Sequence, residues 1–166
     1  MRADMPITSL NLDQYLAPAG SAAASFARLW HNLWRQPYVT PALLEMCRLT
    51  LARLHQDEFE FSAVNPHAPP EALSAERRQQ LLAGRVFKSS AFSGPERAVL
   101  LFTECYGLDP QSIADDVADE VKSHLGEPGL VFLIEALGCL DGRIRAARCL
   151  RDLAHATSTE APTHVG

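Results

Sequence analysis

The sequence predicts an all-α domain of about six helices, and three observations carry that expectation. Apolar residues recur at helical spacing along most of the chain. Two helix starts are written in capping chemistry, Thr40-Pro41 and Ser93-Gly94-Pro95-Glu96. No run of four or more residues alternates as a half-buried strand would.

Residues 1–20 are polar, contain prolines and keep no period, so they read as an arm on the surface or on a neighbouring subunit. From Ser21 to Gln36, Phe26, Leu29, Trp30, Leu33 and Trp34 form one apolar stripe. Thr40 caps the next helix and Pro41 starts it. The pattern continues to Phe61, with Leu44, Cys47, Leu51 and Leu54 facing inward. Asn65 to Pro70 holds three prolines in six residues, which removes helix donors and makes a loop.

Ser74 opens a third helix with Leu81, Leu82, Val86 and Phe87 as its apolar positions. Ser93 and Glu96 form a capping box, and Gly107 is placed to end that helix in a left-handed conformation. Asp109-Pro110 starts another, with Ile113, Val117 and Val121 inside. Its acids Asp115, Asp116, Asp119 and Glu120 lie outside, in first turns where the helix dipole favours them. Gly126-Glu127-Pro128-Gly129 is a turn. The last helix is apolar in its first half and basic in its second, and Gly138 and Gly142 suggest a close helix–helix approach. Heptads are not sustained, so the helices make an orthogonal domain rather than a coiled coil. The expected organisation is an arm over 1–20, a single domain over 21–156 and a flexible tail over 157–166.

The 166 residues suffice for one core, with 47% hydrophobic and 21% charged residues. A net charge of −5 and scattered basic residues argue against nucleic acid. No apolar stretch has the length of a membrane span, and the N-terminus lacks the pattern of a signal peptide, which makes the cytoplasm the expected compartment. Cys47, Cys105, Cys139 and Cys149 are far apart in apolar patterns and read as reduced core residues, with Cys47 or Cys105 as the alternative thiol nucleophile.

The helix from Pro41 and the helices after Ser93 resemble the alkylhydroperoxidase D-like / carboxymuconolactone decarboxylase family over roughly residues 40–150. That family carries a glutamate, an Ala-x-Leu element and then C-x-x-C-x-x-x-H. Here Glu45 matches the glutamate and Ala52-Arg53-Leu54 the middle element. Asp57 and Glu60 stand in the two cysteine positions, and Val64 in that of the histidine. Phe59-Glu60-Phe61 is similar to a Tyr-Glu-Trp variant of the family. Phe92-Ser93 with Glu96-Arg97-Ala98, and a last helix ending near Arg143, resemble its second half. The resemblance implies the orthogonal helical fold of that family and a homo-oligomer, dimer or higher. Thiol peroxidase chemistry needs two thiols and a proton relay, which Asp57, Glu60 and Val64 do not supply.

Three carboxylates remain as catalytic candidates: Glu45, Asp57 and Glu60. Placed three apart on one helix, Asp57 and Glu60 would share a face, and a dry pocket there would make an acid/base site. Arg48 and Arg53 are candidates for cationic help, and Phe59, Phe61 and His67 for binding. Alternatively the acids are a solvated face, Glu45 pairs with Arg48 or Arg53, and His67, between prolines, is exposed. His55 alone does not make a metal site, and neither metal nor cofactor is expected. Two functions follow. One is a non-catalytic oligomeric scaffold with the site filled by Phe59 and Phe61. The other is a lactone-type decarboxylase or isomerase acting on a small-molecule ligand through Glu45 and Glu60.

Overall fold

Thr40 accepts a hydrogen bond from the Leu43 amide, Pro41 fills the first turn, and the helix that follows is the axis of the molecule. In the computed structural model, which describes residues 5–159 and side chains as far as 154, every residue of this helix from Leu43 to Ala52 is buried. A helix enclosed on all sides is expected to be apolar all round. This one encloses Glu45, Arg48 and Thr50. Those polar residues decide what the fold builds around them.

Seven α-helices make up the described residues, with three short 3-10 turns and no strand among them. They are α1 (Asp13–Leu16), α2 (Ser21–Leu33), α3 (Pro41–Leu54), α4 (Glu58–Ser62), α5 (Ala75–Leu82), α6 (Gly94–Leu108) and α7 (Asp115–Thr159). α3 packs on α4, α5, α6 and α7, and α6 lies along α7. The core of Leu44, Leu49, Leu51, Val99, Leu133, Leu137, Leu140 and Ile144 joins those three long helices. Gly107 permits the α6–α3 approach, since a Cβ there would stand 2.6 Å from Leu54 Cδ1. No described helix is long and apolar enough to cross a membrane.

The predicted all-α class stands, and the Thr40, Ser74 and Ser93 starts fall where their caps lie, including the reciprocal Ser93–Glu96 box. Several boundaries differ. The second predicted helix does not reach Phe61. It ends at Leu54, the chain turns through Gln56 at φ 55°, and α4 starts after Asp57. The Asp57 amide donates back to Ala52 O (3.0 Å), closing the turn that glycine usually closes, so no glycine announced it. α2 ends at Leu33 rather than Gln36, and its Leu29 is 37% exposed. α5 ends at Leu82, with Val86–Lys88 a separate 3-10 turn.

Gly107 lies within α6 with no left-handed φ, and α6 continues to Leu108. Asp109-Pro110 forms a turn, and α7 begins only at Asp115. The predicted turn at 126–129 is a kink. Gly126 takes φ 72° and ψ 172°, and helical structure resumes through Pro128. α7 runs on to Thr159, past the predicted tail boundary at 157, and residues 160–166 lie outside the described residues. The arm does not stay on the surface, because Ser9 and Leu12 are fully buried. Residues 1–4 of it lie outside the described residues. Cys149 is exposed and Cys105 half-buried, so only Cys47 and Cys139 are core thiols.

Candidate functional site

Glu45 and Arg48 stand one turn apart on α3, a spacing that lets a carboxylate and a guanidinium meet. They meet in full: Arg48 Nε donates to Glu45 Oε2 (2.8 Å) and Nη2 to Oε1 (2.7 Å). Arg48 is fully buried and needs a second acceptor, which α4 brings. Nη1 donates to Glu60 Oε2 (2.6 Å), and both terminal nitrogens reach the Glu60 carbonyl at 3.3 Å. Burial alone disfavours the charge on Arg48, but the two carboxylates outweigh it and hold the guanidinium above its ordinary value.

The carboxylates accept further hydrogen bonds. Ser9 from the arm donates its amide to Glu60 Oε1 (2.5 Å) and its hydroxyl to Oε2 (2.7 Å). Asn65 donates Nδ2 to Glu45 Oε2 (2.6 Å), and its Oδ1 accepts from the His67 amide (2.9 Å). Arg78 on α5 stands 4.0 Å from Glu45 Oε1 and donates to the Phe61 carbonyl. The four charged groups Glu45, Glu60, Arg48 and Arg78 sum to zero. A buried cluster of this kind persists only when charges balance and the oxygens are hydrogen-bonded. Each carboxylate here accepts three hydrogen bonds, and Arg78, 31% exposed at its side chain, balances the charge from the rim.

Asp57 belongs to a different contact. It does not share a helical face with Glu60, because the chain turn places it just before α4. Arg151 of α7 donates to its Oδ2 (2.5 Å), while its Oδ1 has no hydrogen-bond partner among the described residues. Arg151 also donates to Ile7 O (2.5 Å) and lies 4.5 Å from the Phe59 ring centroid. A third buried cation, Arg143, donates to Ser9 O (2.9 Å) and to Asp13 Oδ1 (2.7 Å), with its guanidinium 4.2 Å from the Trp30 ring.

Glu45, Glu60 and Arg48 are therefore brought together, while the other candidates disperse. Arg53 pairs with Glu104 away from the cluster. Phe59 is 48% exposed, so the expected filling of the site by Phe59 and Phe61 does not occur. Phe61 lines a cavity of about 460 Å³ with Ala42, Glu45, Asn65, Leu73 and Arg78. His67 is half-buried rather than exposed, its ring stacked on Trp34 at 5.5 Å and 7°. His55 pairs with Asp141 at 2.5 Å. None of the three acids is a solvated side chain: Glu45, Asp57 and Glu60 are 5%, 3% and 0% exposed.

Sequence reasoning missed Ser9, Asn65, Arg78, Arg143 and Arg151. A signal existed for two of them. Arg143 and Arg151 fall on the buried register of α7 set by Ala136, Leu140 and Ala147, where an arginine needs an acceptor. Burial pushes the Cys47 thiol up to about 12 and the Cys139 thiol to about 11, so neither is a nucleophile at neutral pH. Among the described residues no three His, Cys, Asp or Glu side chains converge as metal ligands. No protein-family model, curated protein or solved structure matches the chain.

Proposed function

We propose that the chain is a non-catalytic, oligomeric scaffold of the alkylhydroperoxidase D-like kind, in which the former reaction centre serves as an electrostatic clasp. One observation supports this best: the carboxylate oxygens of Glu45 and Glu60 already accept hydrogen bonds from Arg48, Ser9 and Asn65. A general acid or base must offer a proton or a lone pair to a substrate. These groups spend theirs on the fold, joining arm, α3, α4 and the 62–70 loop.

Stability measurements separate clasp from catalyst. Neutralising a catalytic carboxylate commonly leaves stability unchanged or raises it, because active sites hold strain. Removing one partner of a buried pair costs about 3–5 kcal/mol. Glu60→Gln is therefore expected to lower the unfolding free energy by roughly that amount in urea titrations. A Glu60→Gln protein as stable as the parent would sink the clasp.

A second reading is acid/base work on a small lactone, and one observation favours it: Glu45 borders the 460 Å³ cavity together with Asn65 and Arg78. Arg78, rather than Arg48 or Arg53, is then the cation beside the ligand. Titration calorimetry with small lactones tests it, with Glu45→Gln as the control. Heat released by the parent protein and lost in that variant would favour this reading over the scaffold.

A further inference from the structure

The part of α7 after the kink presents one stripe of exposed residues, of which Gly138 lies against the Tyr106 hydroxyl, 3.4 Å from where its Cβ would stand. Val131, Ile134, Gly138, Gly142, Arg145 and Cys149 are all exposed and recur at spacings of three or four. At 3.6 residues per turn they share a band about 80° wide. Val131 and Ile134 are 62% and 46% exposed, apolar surface left in water. A Cβ on Gly142 would meet nothing within 4 Å, so this glycine is not required by packing inside the chain.

Charge along the stripe is divided. Glu127 and Glu135 border a groove of about 600 Å³ at the apolar end, floored by Leu29, Val131 and Phe132. Arg145 and Arg148, with His55, Cys149 and the single carboxylate Asp152, line a groove of about 490 Å³ at the other end, which is net basic by formal charge. Arg145 is 64% exposed at its side chain and donates to Asp141 (2.7 Å). A parallel copy would set acid on acid and base on base. An antiparallel copy sets each acidic groove against a basic one, the self-complementary pattern of a twofold interface.

We propose that a second copy of this chain packs antiparallel on this stripe, with the twofold axis passing between Gly138 and Gly142. Residues 135 and 145 lie equally far from that axis, so Glu135 of each copy meets Arg145 of the other. Residues 131 and 149 do likewise, so Val131 covers Cys149. Gly142, with open space where a Cβ would stand, lets the helix backbones approach closely. This interface rests on the oligomeric reading above and names the partner and the contact surface.

Light scattering with the full chain at micromolar concentration, on the parent and on Glu135→Arg, Arg145→Glu, the double variant and Gly142→Leu, tests the proposal. The parent is expected to be a dimer. Each charge reversal should raise the dimer dissociation constant at least about tenfold, and the double reversal should restore it. Gly142→Leu should yield a monomer with unchanged helicity by circular dichroism. A dimer indifferent to Glu135→Arg and Gly142→Leu overturns this interface and leaves the oligomeric reading standing. Single reversals not rescued by the double overturn the antiparallel pairing. A monomeric parent overturns the oligomeric reading itself.

Discussion

Gln56 and His67 are two residues that the fold holds away from their ordinary preferences. Gln56 adopts φ 55° between α3 and α4, a left-handed conformation that costs a side-chain-bearing residue about 1–2 kcal/mol. Glycine removes that cost and adds unfolded-state entropy of about 0.5–1 kcal/mol. Gln56→Gly is therefore expected to stabilise by roughly 0.5 kcal/mol, read from the urea midpoint at constant slope. His67 is held below its ordinary value by burial first, then by His31, Arg143 and Arg35, with Asp13 opposing. The unfolded chain thus takes up a proton before the folded one. Stability is full above about pH 6.5 and declines as pH falls through the window beneath it. His67→Gln should flatten that decline in a pH series of thermal melts. Single residues were also where the sequence was least legible. Glu45, Arg48 and Glu60 were identifiable as chemistry, but whether their lone pairs were free depended on Ser9 and Asn65, 36 and 20 residues from Glu45.

Helix starts are set by neighbours in sequence, and for that reason they were legible. Thr40, Ser74 and Ser93 each accept the amide three residues ahead, a contact complete within one turn. Ser93→Ala breaks the reciprocal box with Glu96 and is expected to cost about 1 kcal/mol, a fall of some 2–4 °C in Tm. Helix ends were not legible to the same degree. α3 stops at Leu54, and the turn that follows sets Asp57 against Arg151, a partner 94 residues away that no local signal announces. Gly107 illustrates the converse error. It has the residue type of a terminator, yet its place is set by the nearness of Leu54, and the helix runs through it. The Gly126 signal was legible: its non-helical φ of 72° and ψ of 172° separate two helical runs where the turn was expected.

At the scale of the molecule the all-α class followed from periodicity, whereas the fate of the arm did not. An aperiodic polar stretch reads as surface, because its burial rests on partners elsewhere. Those partners are Glu60, Arg143 and Arg151, which take up Ser9, Asp13 and Ile7. Deleting residues 1–12 leaves Glu60 and two buried arginines short of partners. Each keeps its ion-pair partner (Arg48, Asp13 and Asp57) but loses buried hydrogen bonds to a charged group, worth about 1.5–3 kcal/mol each. Tm should therefore fall by about 10 °C or more in differential scanning calorimetry. A truncated protein melting with the parent would return the arm to the surface. Among the described residues the helices supply the frame and the ion pairs the closure.

That closure has a consequence for the newborn chain. Ser9 leaves the ribosome long before Arg143, its partner 134 positions later, and Ile7 waits still longer for Arg151. α3 can coil early and join Glu45 to Arg48 on its own, but the seam along the arm stays open until α7 has emerged. Helical proteins usually fold fast because their contacts are local. Here the seam joins segments made 134 and 144 positions apart, so a chain stalled before α7 has emerged leaves Ser9 and Ile7 without Arg143 and Arg151 and its charged interior open to water.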